Sequence, residues 1–131
     1  MTIADSDGLG AYLESYINGI KEFHGGATAI DKDLYANLKS ECAYKLSEKV
    51  NNRELKIICS KEQEEIIKEE LMVLKADNLI SDTQKKRIIS KELMKQILGH
   101  SPDYLDMLIM GMYFEVKPAS KGIRRVSYKK Q

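Results

Sequence analysis

Short stretches rich in apolar and β-branched residues alternate along this chain with amphipathic helical patterns, and this alternation limits the fold more than any other feature. The strand-like stretches are TIAD (2–5), IKEF (20–23), ELKIICS (54–60) and KKRIIS (85–90). The first two run into glycine-containing turns, which is how a strand often ends. Strands that alternate with helices are typical of an α/β fold, so we expect short central strands flanked by helices.

Five segments carry apolar residues at helical spacing. The clearest, residues 30–52, places its apolar and aromatic residues on one stripe and ends at a pair of asparagines. The others begin at Leu9, Lys61, Ser90 and Ser101. We expect Ser90 to cap its helix, and we expect Ser101 to be an N-cap followed by Pro102 at the first helical position.

The chain of 131 residues is long enough for one domain with a hydrophobic core. No apolar run approaches the roughly 18 residues of a membrane span, and the first residues do not resemble a signal peptide. Its two cysteines, Cys42 and Cys59, form no CxxC pair and are expected to be reduced, as in a cytosolic protein. We therefore expect a cytoplasmic protein without a membrane partner.

Charge is distributed unevenly between the body of the chain and its end. Residues 117–131 contain six Lys or Arg and no acid, so subtracting them from the net charge of +1 leaves −5 for residues 1–116. We expect residues 1–116 to form the domain and residues 117–131 to be a basic tail whose composition is compatible with disorder. Such a tail would contact nucleic-acid phosphate, dock on an acidic protein surface or only aid solubility.

The sequence supports neither a zinc site nor an enzyme with a covalent nucleophile. His24 and His100 are the only histidines, and neither belongs to a His/Cys cluster with zinc spacing. No Gly-x-Ser-x-Gly motif or Cys/His arrangement indicates a covalent nucleophile. Both histidines are expected at the surface or at helix caps.

Asp103 and Asp106 lie at the start of the last apolar helical segment. Residues three apart on a helix are neighbours, so both carboxylates are expected on one face of the first turn. One interpretation is structural, because the helix dipole favours acids at this end. The other is functional, because a divalent-metal site needs carboxylates from separate elements.

A second pair of acids supports the functional interpretation. Asp5 and Asp7 lie where the first strand ends in a glycine-containing turn. Such positions often carry site residues in α/β sheets, although Asp-Gly is also an ordinary turn signal. Asp5 from a strand end and Asp106 from a helix start would suit a site for Mg²⁺.

Three segments of the chain together resemble the C-terminal part of the phage terminase large subunit. They are ADSDGLG (4–10), EFHGGATAIDKDLYANLKSECAYKL (22–46) and SKELMKQILGHSPDYLDMLIM (90–110), in that order and spacing. Members of that family package viral DNA with an N-terminal ATPase and cut it with a C-terminal ribonuclease H-like nuclease that uses Mg²⁺ or Mn²⁺. The resemblance implies double-stranded DNA, a portal and a small terminase subunit as partners, in the cytoplasm of a bacterial host.

The resemblance also implies the roles of three residues. Asp5 matches the acid of the middle catalytic strand, and Asp106 matches the acid of the final helix. Asp103 matches an auxiliary position that binds metal or orients water. All three are therefore expected to be catalytic and metal-binding residues, whereas Asp7 is given no ligand role.

The chain departs from the family pattern in two ways. It has no GxxxxGK[ST] loop, so we expect no ATPase in these residues, and we expect the first acidic strand of the nuclease to be absent from them. We accordingly expect a truncated ribonuclease H-like fold with an incomplete two-metal site, weak or absent activity, and self-association through exposed apolar surface. The alternative function is that of a catalytically inert fragment or prophage remnant that binds DNA or a partner.

Overall fold

The computed structural model describes residues 2–5, 20–78 and 85–117. Two strands, β1 (Thr2–Asp5) and β2 (Ile20–Phe23), pair in parallel with Thr2 opposite Ile20 and Asp5 opposite Phe23. The first two predicted strands are thus confirmed. Because the pairing is parallel, both strands deliver their carboxyl ends, at Asp5 and Phe23, to the same edge of the sheet.

Five helices follow the strands in the described part of the chain. They are α1 (Leu38–Asn51), α2 (Lys61–Met72), α3 (Lys91–Leu98), α4 (Asp103–Gly111) and α5 (Tyr113–Val116). The structure is therefore mixed, as expected, but it is rich in helix and has little strand. None of the helices in the described ranges has the length and apolar composition needed to cross a bilayer.

Helix α4 is the centre of the packing. It contacts α1, α2, α5 and strand β1, while α1 also contacts α5. The buried apolar core comprises Phe23, Leu38, Cys42, Ala43, Leu46, Val73, Met94, Leu105, Ile109 and Met112. Leu38, Cys42 and Leu46 recur every four residues on α1, so the stripe predicted from the sequence is the buried face.

Helix α1 begins later than its sequence pattern predicts. Asn37 is the N-cap, and its side chain accepts the Ser40 N–H at 2.8 Å. The preceding residues are held in a turn, because the buried Glu41 carboxylate accepts the N–H groups of Ile30 and Asp31 at 2.7 and 2.9 Å. These bonds offer the backbone an alternative to helix, which is why the helical spacing before Asn37 is misleading.

Two predicted strands are not formed. Residues 54–60 make no strand, and Ile58 is 90% exposed. Residues 85–90 make only isolated bridges, Lys86 with Tyr35 and Ile88 with Ala76. A β-rich composition indicates a strand only when a partner backbone lies alongside, and neither segment has a continuous one in the described structure.

Helix ends follow ordinary capping rules where the sequence supplies a cap. Ser90 caps α3 as predicted, accepting the Leu93 N–H at 3.2 Å, and Gly99 ends that helix with a φ of 82°. Ser60 and Gln63 form a reciprocal capping box at α2. The predicted helix beginning at Leu9 and all but the first residue of the basic tail lie outside the described residues.

Candidate metal and phosphate site

A cavity of about 620 Å³ lies where three helix N-termini approach the carboxyl end of β2. It is lined by Phe23, Gly25, Lys39, Lys91, Glu92, Asp103, Asp106, Met107, Ile109 and Met110. The first turns of α1, α3 and α4 supply Lys39, Lys91 and the two aspartates. Helix N-termini carry partial positive charge, so this cavity favours an anion as well as the carboxylates that line it.

Asp106 is the most densely contacted acid of the cavity. Its Oδ2 lies 2.5 Å from Lys91 Nζ, and its Oδ1 lies 3.3 Å from Lys39 Nζ. The side chain is 26% exposed, but Oδ1 itself is buried and accepts no hydrogen bond, because Lys39 is near without being aligned to donate. A buried carboxylate oxygen that accepts no hydrogen bond has lone pairs with which it can bind an ion or a water molecule.

Lys39 and Lys91 are site residues that the sequence reasoning did not single out. Each stands in the first turn of its helix, at the end where the helix dipole disfavours a cation. The sequence shows this placement for Lys91, because Ser90 marks the start of its helix, but not for Lys39, because α1 was expected to begin earlier. The structure explains it, because both ammonium groups form ion pairs with the carboxylate of Asp106.

Asp103 lies on the same cavity but in a more open position. It is exposed, and its Oδ1 accepts a hydrogen bond from the Ser101 hydroxyl at 2.7 Å. Because this hydroxyl is turned toward Asp103, the prediction that Ser101 caps the helix is wrong. Pro102 is the residue before the first turn, and it makes no side-chain cap bond.

Asp5 is placed by its backbone alone, since its side chain lies outside the described structure. Its Cα is paired with that of Phe23, and Phe23 lines the cavity that holds Asp103 and Asp106. Strand β1 also contacts α4. The fold thus brings the backbone of Asp5 to within about one strand spacing of the cavity wall. Asp7 lies outside the described residues.

The carboxylates described at the cavity are too few to enclose a metal ion by themselves. Glu92 is the third acid on its wall, yet within residues 20–78 and 85–117 no three acidic, histidine or cysteine side chains converge as a metal cluster. Mg²⁺ needs only one or two protein carboxylates beside water and substrate oxygens. Asp106 and Asp103 therefore fit a Mg²⁺-type ion as a partial ligand set.

Gly25 allows the cavity to form at the junction of β2 and α1. A Cβ at this position would lie 3.3 Å from Lys39 Cβ, and the Gly25 carbonyl accepts the Lys39 N–H at 2.9 Å. The next glycine, Gly26, faces open space. A side chain at the first glycine of the pair would therefore crowd the start of α1.

The two histidines are surface residues, as predicted. His24 is exposed and lies 3.3 Å from the Glu22 carboxylate, while His100 contacts the Ser101 carbonyl at 3.0 Å. Neither lines the cavity.

Comparison with known proteins gives matches in structure. No protein-family model and no curated protein sequence matches the chain. The nuclease domain of the large terminase subunit gp2 of bacterial virus Sf6 matches with a TM-score of 0.70 and 21% identity, over 89% of this chain and 65% of that one. A mutant of that domain with manganese matches with a TM-score of 0.69 and 20% identity, over 84% of this chain and 64% of that one.

A third match is a mutant gp2c of the large terminase subunit from bacteriophage Sf6 with calcium, at a TM-score of 0.68 and 20% identity, over 84% of this chain and 63% of that one. The chain thus spans just under two thirds of the domains it matches. Because the sequence identities are this low, the matches establish likeness of fold alone. The likeness covers most of this chain. This chain has the fold of a large part of a terminase large-subunit nuclease domain.

Proposed function

We propose that this chain is the C-terminal nuclease portion of a DNA-packaging terminase large subunit, built on a ribonuclease H-like fold. Its chemistry is the hydrolysis of DNA phosphodiesters with Mg²⁺ or Mn²⁺, and its metal-binding and catalytic residues are Asp5, Asp103 and Asp106. The matched viral nuclease domains were obtained with manganese and with calcium, which supports a divalent cation in this fold.

The observation that carries the proposal is the pairing of unlike charges at one cavity. Asp106 presents a buried oxygen that accepts no hydrogen bond, and Asp103 lies one turn away on the same wall. Lys39 and Lys91 flank Asp106 from two other helices. A site for a metal phosphodiester complex needs both carboxylates for the cation and positive charge for the phosphate.

The residues divide this work between them. Asp106 would hold the cation through Oδ1, which accepts no hydrogen bond. Asp103 would hold it or orient a metal-bound water, and Asp5 would complete the set from the neighbouring strand. Lys39 and Lys91 bind the negatively charged phosphodiester, helped by the N-termini of α1 and α3. A bound divalent cation supplies an activated water and stabilises the leaving oxygen.

The partners follow from the same proposal. Double-stranded DNA is the substrate, and the portal and the small terminase subunit are the assembly partners in the cytoplasm of a bacterial host. Self-association through exposed apolar surface is a further prediction, which light scattering at micromolar concentration checks directly.

Plasmid cleavage with Mn²⁺ tests the proposal. We expect the wild-type chain to nick plasmid DNA, and we expect EDTA or Asp106→Asn to abolish the activity. The matched control is Asp33→Asn, because Asp33 is an exposed aspartate in the turn before α1 and does not line the cavity. Its cleavage rate should stay within about twofold of wild type, as is usual for surface substitutions.

Two results would contradict the proposal. Cleavage that survives Asp106→Asn would place the chemistry elsewhere. Absence of both Mn²⁺ binding by calorimetry and cleavage, in a chain shown to be folded by circular dichroism, would favour the alternative function of an inert module that binds DNA or a protein partner.

A further inference from the structure

Helix α4, which carries Asp103 and Asp106, starts without a cap of its own. Pro102 precedes it and makes no side-chain hydrogen bond to the helix. Backbone carbonyls accept hydrogen bonds from two of the first N–H groups. The Asp103 N–H donates to the Ser101 carbonyl and the Asp106 N–H donates to the Pro102 carbonyl, both at 2.9 Å. The N–H of Leu105 lies between them and needs another acceptor, since Leu105 is fully buried.

Glu70 supplies that acceptor from a different helix. Its Oε1 accepts the Leu105 N–H at 3.0 Å, across 35 positions of sequence. Glu70 is only 1% exposed and lies on α2, where Ile67 is its buried neighbour one turn earlier. A carboxylate that points at a helix N-terminus is favoured both by the hydrogen bond and by the dipole of that helix.

A buried glutamate in an apolar stripe calls for a reason, because removing a carboxylate from water is costly. The helix-packing role of this position would be filled equally well by leucine or methionine. What those residues lack is an acceptor for the N–H of Leu105. The placement of Glu70 is therefore explained by the helix it caps.

We infer that Glu70 is a positioning residue for the candidate site. Its carboxylate holds the first turn of α4 against α2, and this turn carries Asp103 and Asp106 to the cavity where Lys39 and Lys91 meet them. The inference rests on the proposed function for its consequence in metal binding, but the capping contact itself is independent of any metal.

The test compares Glu70→Met, which removes the acceptor, with Glu70→Gln, which keeps an oxygen at the same place. Two quantities are measured: hydrogen-exchange protection of the Leu105 amide by NMR, and Mn²⁺ affinity by calorimetry. We expect Glu70→Met to lower each by about tenfold or more, the effect of losing one buried hydrogen bond. Glu70→Gln should restore both to within about threefold of wild type.

Glu41→Met is the matched control. Glu41 is the other buried glutamate that accepts backbone N–H groups, but those belong to Ile30 and Asp31, which do not line the cavity. This variant should lower the stability of the chain while the Leu105 amide keeps its protection relative to global unfolding. A role of Glu70 in general stability alone would make Glu70→Met and Glu41→Met behave alike, which would overturn the inference.

The remaining outcomes are distinct. Unchanged protection at Leu105 in Glu70→Met would overturn the inference. So would an unchanged Mn²⁺ affinity in this variant if the wild-type chain binds Mn²⁺. Lost protection that Glu70→Gln rescues would support the cap even if the wild-type chain bound no Mn²⁺, a result that would count against the proposed function alone. If Glu70→Met does not fold, Glu70→Asp replaces it, because its carboxylate is drawn back by one methylene and the same losses are expected.

Discussion

The ammonium of Lys91 lies 2.5 Å from Oδ2 of Asp106, and this contact joins the first turns of α3 and α4. A second ammonium, that of Lys39, approaches the other oxygen from α1. Asp106 is thus the common counter-ion of two cations that stand where helix dipoles disfavour them. Its removal would leave those two charges near one another without the carboxylate that they share.

This arrangement predicts a coupling that a urea titration can measure. Asp106→Asn should lower the free energy of unfolding by about 1 kcal/mol, because the pair with Lys91 is partly solvated. In a Lys39→Met/Lys91→Met background the same substitution should cost close to nothing, since no cations remain to be neutralised. An equal cost of Asp106→Asn in the two backgrounds would disprove the coupling. Lys45→Met is the control background, because its ion-pair partner is the exposed Glu48 and not Asp106.

The adjacent glycines predict opposite tolerances to alanine. Gly25→Ala should lower the free energy of unfolding by about 1 kcal/mol or more, because its Cβ would lie 3.3 Å from Lys39 Cβ at the start of α1. Gly26→Ala should change it by less than about 0.5 kcal/mol, because nothing lies within 4 Å. Thermal unfolding of both variants measures the contrast. Equal loss at the two positions would refute the close approach at Gly25.

Removal of the Ser40 hydroxyl should destabilise the chain, because this hydroxyl accepts a hydrogen bond from a backbone group far away in sequence. This serine is 1% exposed, and its hydroxyl oxygen accepts the Ile88 N–H at 3.2 Å, across 48 positions of sequence. Ser40→Ala should cost about 1–3 kcal/mol, because the N–H is left without this acceptor. Hydrogen exchange at Ile88 should accelerate in the variant. Ser47→Ala, at a half-buried position of the same helix, should change stability by less than about 0.5 kcal/mol.

The two cysteines predict unequal reactivity. Burial raises the pKa of the Cys42 thiol to about 12, so this residue stays protonated at pH 8, whereas Cys59 is exposed. Iodoacetamide should label one thiol of the folded chain, and mass spectrometry should locate the label at Cys59. Cys59→Ser should abolish rapid labelling. Fast modification of Cys42 without denaturant would contradict the packing of α1.

The same pKa difference fixes the sign of a pH effect on folding. The unfolded chain loses the Cys42 proton near the ordinary thiol pKa of 9.0, while the folded chain keeps it up to about 12. Over that interval the folded state binds more protons, so the free energy of unfolding falls as pH rises. Cys42→Ala should flatten the decline above pH 9.

The parts of the fold that depend on local periodicity could be predicted from the sequence. The buried stripe of α1 and the cap at Ser90 follow from helical spacing and from side-chain chemistry within one turn. The strand expected at residues 54–60 does not form, because its isoleucines indicate β structure without indicating a partner. The same reason explains why residues 85–90 make bridges and no continuous ladder.

Of the candidate site, only the two acids at the start of α4 could be predicted from spacing. Spacing alone places Asp103 and Asp106 on one turn, and both indeed line one cavity. The contacts of Lys39 and Lys91 with Asp106 could not be predicted, because the packing of three helices brings these long, flexible side chains together. The metal-ligand role of Asp5 stays a prediction that rests on resemblance and on the position of its backbone beside Phe23.

The cavity wall combines residues that are far apart in sequence, from Phe23 through Lys39 and Lys91 to Met110. Helices of this length form within about a microsecond, but contacts between segments so far apart in sequence form late in folding. An intermediate with α4 formed would hold both aspartates without either lysine. The cavity that pairs these aspartates with the two lysines would therefore be complete only when folding is complete, so a partly synthesised chain would carry its acids without the cations that face them in the folded state.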